Sequence, residues 1–76
     1  MTIKEFIKRE TGSHTGLANL MKRRLENLQA DKQRKAYETL YIYEKHMLEG
    51  ILHTLFVLEH ITQEEFFDLI DDIENY

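Results

Sequence analysis

The sequence predicts an all-α domain: a small four-helix bundle in which a long central helix carries antiparallel flanking helices. Three observations point there. Proline is absent, and glycine occurs only at positions 12, 16 and 50. Helix formers dominate, and apolar side chains recur at helical spacing along most of the chain. No stretch alternates apolar and polar residues for long enough to suggest a strand. Residues 1–76 make a single domain, and a chain this short buries only about 60% of its unfolded surface.

The first helix starts at Thr2, whose spacing to Glu5 is that of a capping box, and carries Ile3, Phe6 and Ile7 on one face. Thr11-Gly12-Ser13-His14-Thr15-Gly16 is expected to end it as a turn with a fresh N-cap on its far side. The second helix is expected from about Thr15 to Gln29, with Leu17, Leu20, Met21, Leu25 and Leu28 on its buried stripe. The third is the spine, from about Asp31 to His60, which spans about 43 Å. Tyr37, Leu40, Tyr41, Leu48, Ile51, Leu52, Leu55 and Leu58 hold one phase along it.

No Gly or Pro separates helices two and three. Nine steps from Leu28 to Tyr37, however, turn the apolar stripe through roughly half a circle. A reversal near Gln29–Lys32, with Asp31 as N-cap, removes that conflict. The fourth helix has the clearest start signal: Thr62 and Glu65 form a capping box, with Ile61 and Phe66 at the staple positions. Its apolar face is Phe66, Phe67, Leu69, Ile70 and Ile73, and its return is expected to bring Phe66 near Leu58 and Ile70 near Leu55. Helix one then caps the open end.

Two charged residues interrupt the apolar stripes. Arg24 lies among Leu20, Met21 and Leu28, and Glu44 among Tyr41, Met47 and Leu48. Antiparallel packing in which paired residue numbers add to about 68 sets Leu28 on Leu40, Met21 on Met47 and Leu17 on Ile51. The same register sets Arg24 against Glu44, so a partly buried ion pair is expected to fix the hairpin.

Several function classes find no support. There is no cysteine, so disulfides and thiolate metal sites are out of reach. The longest apolar runs fall far short of the roughly 20 residues of a membrane span. Charges mix with apolar residues from Met1 onward, unlike a signal peptide, so a cytoplasmic protein is the simplest expectation. No nucleophile motif, catalytic triad or phosphate-cradling glycine loop is present, so neither an enzyme nor a cofactor is expected. His46, His53 and His60 recur every seven residues, too far apart along a helix to share one ion. Within the spine only Glu49 and His53 stand one turn apart, and no metal is expected. The histidine face, shared with Ile42, Gly50 and Val57, reads either as solvated surface or as a seam for a second spine. A spine longer than its partners makes a homodimer the expected assembly.

The charge is strongly segregated. Residues 1–35 hold nine Lys/Arg against four Asp/Glu, a net +5, whereas residues 62–76 hold six acids and no base. The acidic helix offers Glu64, Glu65, Asp68, Asp71, Asp72 and Glu74 as a face that could dock on a basic site of another protein. Asp71, Asp72 and Glu74 oppose their own helix dipole, which suggests a use beyond local stability. The basic half offers Lys8, Arg9, Lys22, Arg23, Lys32, Arg34 and Lys35 as phosphate contacts. Within it, about 20 residues centred on Thr11-Gly12-Ser13-His14-Thr15-Gly16-Leu17 resemble the turn and recognition-helix start of helix-turn-helix repressors. They depart from that pattern at Ser13 and Gly16. The resemblance implies nucleic-acid binding through the basic residues. The favoured expectation is a non-catalytic regulatory or inhibitory protein that binds another protein through its acidic helix, ahead of a nucleic-acid-binding regulator.

Overall fold

The computed structural model describes residues 1–34 and 38–76, with the side chains of residues 34, 38 and 39 also left out of the description. Those residues form four helices: α1 (Ile3–Ser13), α2 (Thr15–Arg34), α3 (Glu38–Val57) and α4 (Gln63–Glu74). Each helix packs on its chain neighbours, and α1 also meets α4. The chain thus forms a small four-helix bundle.

Both capping boxes form. Thr2 accepts from the Glu5 backbone N–H while Glu5 accepts from that of Thr2, and Thr62 and Glu65 repeat the exchange at the start of α4. Each box satisfies two of the amide donors that a helix start leaves without partners.

The glycine-bearing stretch after α1 does not form the expected turn. The helix continues through Gly12 to Ser13, and α2 begins at Thr15. Thr11 explains part of this: its hydroxyl donates to the Ile7 carbonyl at 2.8 Å, back into the helix and away from any turn. The break is confined to His14, at φ −138° and ψ 71°. Its N–H donates to the Glu10 carbonyl and its own carbonyl accepts from Ala18, so one residue ends α1 and starts α2.

The second correction concerns the reversal. Gln29–Lys32 is helical, Asp31 lies within α2, and the described part of α2 runs to Arg34. Tyr37 lies outside the described residues. Nothing in Gln29–Lys32 stops a helix, since neither Gly nor Pro is present. The spine does not begin at Asp31, and its described part is Glu38–Val57, 20 residues.

The core is one cluster drawn from all four helices. Ile3, Phe6 and Ile7 of α1 meet Ala18, Met21, Leu25 and Leu28 of α2, Leu48, Leu52 and Leu55 of α3, and Leu69 and Ile73 of α4. Leu20 and Leu40, expected inside, are exposed. Arg24 Nη1 stands 3.6 Å from Glu44 Oε2 on the facing stripe. The contact is an ion pair and no hydrogen bond, and Glu44 Oε2 has no hydrogen-bond partner among the described residues.

The end of α3 lacks the usual glycine. The His60 N–H donates to the Leu55 carbonyl at 2.9 Å and the Glu59 N–H to that of Phe56 at 3.0 Å, the paired bonds of a Schellman turn. Glu59 takes the left-handed position, at φ 62°. The helix therefore stops at Val57, and Leu58 turns outward to 69% exposure. Phe66 stacks on Phe56, with ring centroids 4.9 Å apart. Ile70 is half-buried against the core.

A left-handed conformation disfavours any residue bearing a Cβ by about 1–2 kcal/mol, and glycine gives back part of that gain through its freer unfolded chain. Glu59→Gly is expected to raise unfolding stability by about 0.5–1 kcal/mol in a urea titration. A loss of stability would contradict this reading of the α3 terminus.

Candidate functional site

The acidic residues of α4 fall into two overlapping groups, with Asp68 in both. One group serves the fold. Asp72 Oδ2 accepts from the Ile3 backbone N–H at 2.9 Å, so it caps the start of α1. Asp68 Oδ2 lies 3.4 Å from the Met1 amino group. Glu65, beyond closing its own capping box, pairs with Arg9, and the Thr62 backbone and Arg9 together hold its carboxyl below the usual range. Asp72, one of the acids that oppose the α4 dipole, thus faces the positive start of α1, because the two helices run antiparallel.

The second group faces outward. Glu64, Asp68 and Asp71 are exposed along one side of α4, and Phe67 stands among them at 58% exposure. Glu74, also exposed, is one turn further on; its backbone carbonyl accepts from Lys45 Nζ at 3.0 Å.

The described cations of the basic half are spread over α1 and α2. Lys8, Lys22, Arg23 and Lys32 are exposed on α1 and α2. Arg9 is held by Glu65 and Glu10, with its guanidinium 4.9 Å from the Phe6 ring centre. Arg34 ends α2, and its side chain and the whole of Lys35 lie outside the described residues. The first turn of α2 is Thr15-Gly16-Leu17-Ala18, without a cation, and Lys22 and Arg23 follow about two turns in. A one-residue junction replaces the turn that the helix-turn-helix resemblance implies.

The histidine face also changes. Ile42, His46, Gly50, His53 and Val57 remain exposed along α3. His60, beyond the end of the helix, leaves that row and turns to α1. Glu49 and His53 do not act together: His53 lies 6.2 Å from the Phe66 ring, and Glu49 sits beside Glu74.

A cluster that the spacing arguments missed surrounds Glu10. This carboxylate, at the end of α1, is only 3% exposed. Its Oε2 lies 2.8 Å from His14 Nδ1 and its Oε1 lies 3.0 Å from His60 Nε2. Arg9 Nη2 approaches Oε1 at 3.4 Å. The two imidazoles meet edge to face, with centroids 4.7 Å apart. Burial alone would raise the Glu10 carboxyl; hydrogen bonds from His14 and His60, the charge of His60, and Arg9 outweigh it and hold the group below the usual range. Half of the cluster was legible, since Glu10 and His14 stand one helical turn apart. His60 is remote in sequence and reaches the cluster only because α3 ends early.

The chain matches no protein-family model, and neither the curated proteins nor the solved structures show a significant similarity to it. Among the described residues, no helix is long and apolar enough to cross a membrane.

Glu49 gives the site region a pH dependence. Its Oε1 is buried without a hydrogen-bond partner among the described residues. Burial first, and then the neighbouring Glu74 carboxylate, push its pKa from 4.5 up to about 6. A raised folded value contributes stability that is complete below 4.5 and lost as pH rises through about 6. Glu10 runs the other way, contributing stability that is lost as pH falls through its lowered value. Glu49→Gln is therefore expected to stabilise the protein more at about pH 7 than at about pH 5, measured by urea titration at each. An equal effect at the two pH values would contradict the assignment.

Proposed function

We propose that the protein is a non-catalytic regulatory or inhibitory protein that acts by binding another protein through the outer face of α4. The observation that carries this reading is Phe67, 58% exposed among the exposed carboxylates of Glu64, Asp68 and Asp71. An aromatic ring left in water is a natural anchor, because burying it contributes most of what a small interface gains. Carboxylates around it steer a basic partner and speed association without contributing much affinity at the rim. Glu65 and Asp72 are engaged within the fold, so the contact surface is narrower than the six acids of α4 taken together. The chemistry fits a partner site that is cationic with an apolar pocket, such as a surface that otherwise receives nucleic acid. For the basic half, the first turn of α2 carries no cation to support the nucleic-acid reading, and Arg9 is already engaged.

The test is capture by the immobilised protein from extracts of the cells that encode it, compared with Phe67→Ser. Phe67 is exposed, so this variant is expected to fold and to lose the retained protein, and added salt is expected to slow association. Retention that ignores Phe67→Ser would contradict the proposal. So would salt-sensitive binding of mixed-sequence duplex DNA that is lost on charge reversal at Lys22 and Arg23.

A further inference from the structure

We propose that Glu10, His14 and His60 form a binding site for a divalent transition-metal ion of the zinc type. The donor set is the first reason. Two imidazole nitrogens and one carboxylate oxygen suit zinc and its neighbours in the first transition row, whereas magnesium and calcium prefer all-oxygen sets.

Geometry is the second reason. The three ligand atoms lie within 4.8 Å of one another. Around a tetrahedral ion with bonds of about 2.0–2.1 Å, ligand atoms stand about 3.4 Å apart. Closing the difference takes only a small swing of the imidazoles, and His14, with its side chain 53% exposed, has room to make it. Both imidazoles already aim a nitrogen at the same carboxylate, at 2.8 and 3.0 Å. A bound cation would take the place of the shared protons, with each histidine presenting a lone pair where an N–H now points.

Anchoring is the third reason. Glu10 is buried at the end of α1, and the backbone of His60 is fixed by the Schellman turn that follows α3. His14 occupies the single-residue junction between α1 and α2. The partly exposed histidines leave the outer side open to water, which would complete a four-coordinate shell. Arg9 is the competing cation: it approaches Glu10 Oε1 at 3.4 Å and also pairs with Glu65, which can hold it when the ion takes Glu10. An ion here would join the α1–α2 junction to the α3–α4 junction at one end of the bundle. Binding would therefore stabilise the fold and would not depend on the α4 contact surface.

The test is a titration of the full chain, stripped with a chelator, with Zn2+ followed by calorimetry and by thermal unfolding. One Zn2+ per chain and a raised Tm are expected, with no rise from Mg2+. His14→Ala, His60→Ala and Glu10→Gln should each weaken binding by about tenfold or more, while His53→Ala leaves it unchanged. Because His14 is exposed, His14→Ala should retain the helical circular dichroism of the parent, which separates loss of a ligand from loss of the fold. The visible spectrum of bound Co2+ should report low coordination with nitrogen and oxygen donors. Absence of Zn2+ binding, binding that survives His14→Ala in full, loss of binding on His53→Ala, or an equal Tm rise from Mg2+ would each overturn the proposal.

Discussion

A carboxylate withdrawn from water must be paired, and in this small bundle that demand falls on Glu10. Its partners are drawn from both sides of the molecule's closed end. His14 comes from the junction between α1 and α2, and His60 from the turn after α3. Arg9, one residue earlier, extends the same network to Glu65 at the start of α4. The places where α1 ends and where α3 stops are thereby tied together by one buried charge. At the opposite end of the α1–α4 pair, Asp72 caps the start of α1. Polar clasps at both ends thus close the ring of helices through α1, whose contact with α4 is otherwise the slightest among the packed pairs.

The division of labour along α4 follows from this closure. An antiparallel neighbour brings the positive start of α1 to the negative end of α4, and there Asp72, unfavourable to its own helix, answers the start of α1. Glu65 is enlisted by Arg9 at the other end. What remains is an exposed strip of α4 where Phe67 stands among Glu64, Asp68 and Asp71, and Asp68 also pairs with the Met1 amino group. A ring that folding leaves in water contributes little to the bundle and stays available to a partner. Among the described residues, the cations of the basic half are spread over α1 and α2, and Arg9 and Arg24 are already paired.

Much of the fold was legible because the signals are local. Thr2 with Glu5 and Thr62 with Glu65 announce helix starts through side-chain-to-backbone bonds that need no tertiary context. The pairing of Arg24 with Glu44 was readable as two misplaced charges brought together by one register. That register, with residue numbers adding to about 68, is centred near Arg34, between the described parts of α2 and α3. The phase argument placed the break too early because it located a conflict between two stripes without saying where the chain resolves it. Other features were illegible for opposite reasons. Gly12 and Gly16 look like a turn but sit inside helices, whereas Glu59 takes the left-handed position that glycine usually marks. The early stop at Glu59 is also what exposes Leu58 and frees His60 for Glu10. A three-residue cluster assembled across both junctions of the bundle depends on that unmarked stop, so only its Glu10–His14 half could be seen in advance.

The account rests most directly on whether Glu10 and His60 are energetically coupled. The measurement is a double-mutant cycle in metal-free buffer with Glu10→Leu and His60→Ala, read by urea unfolding. Leucine fills the buried volume without leaving a charge there, so the cycle isolates the pairing of carboxylate with imidazole. The account predicts that His60→Ala destabilises the parent by about 1–2 kcal/mol more than it destabilises the Glu10→Leu protein. Additive effects, equal to within about 0.3 kcal/mol, would contradict the claim that one buried carboxylate ties the two junctions together.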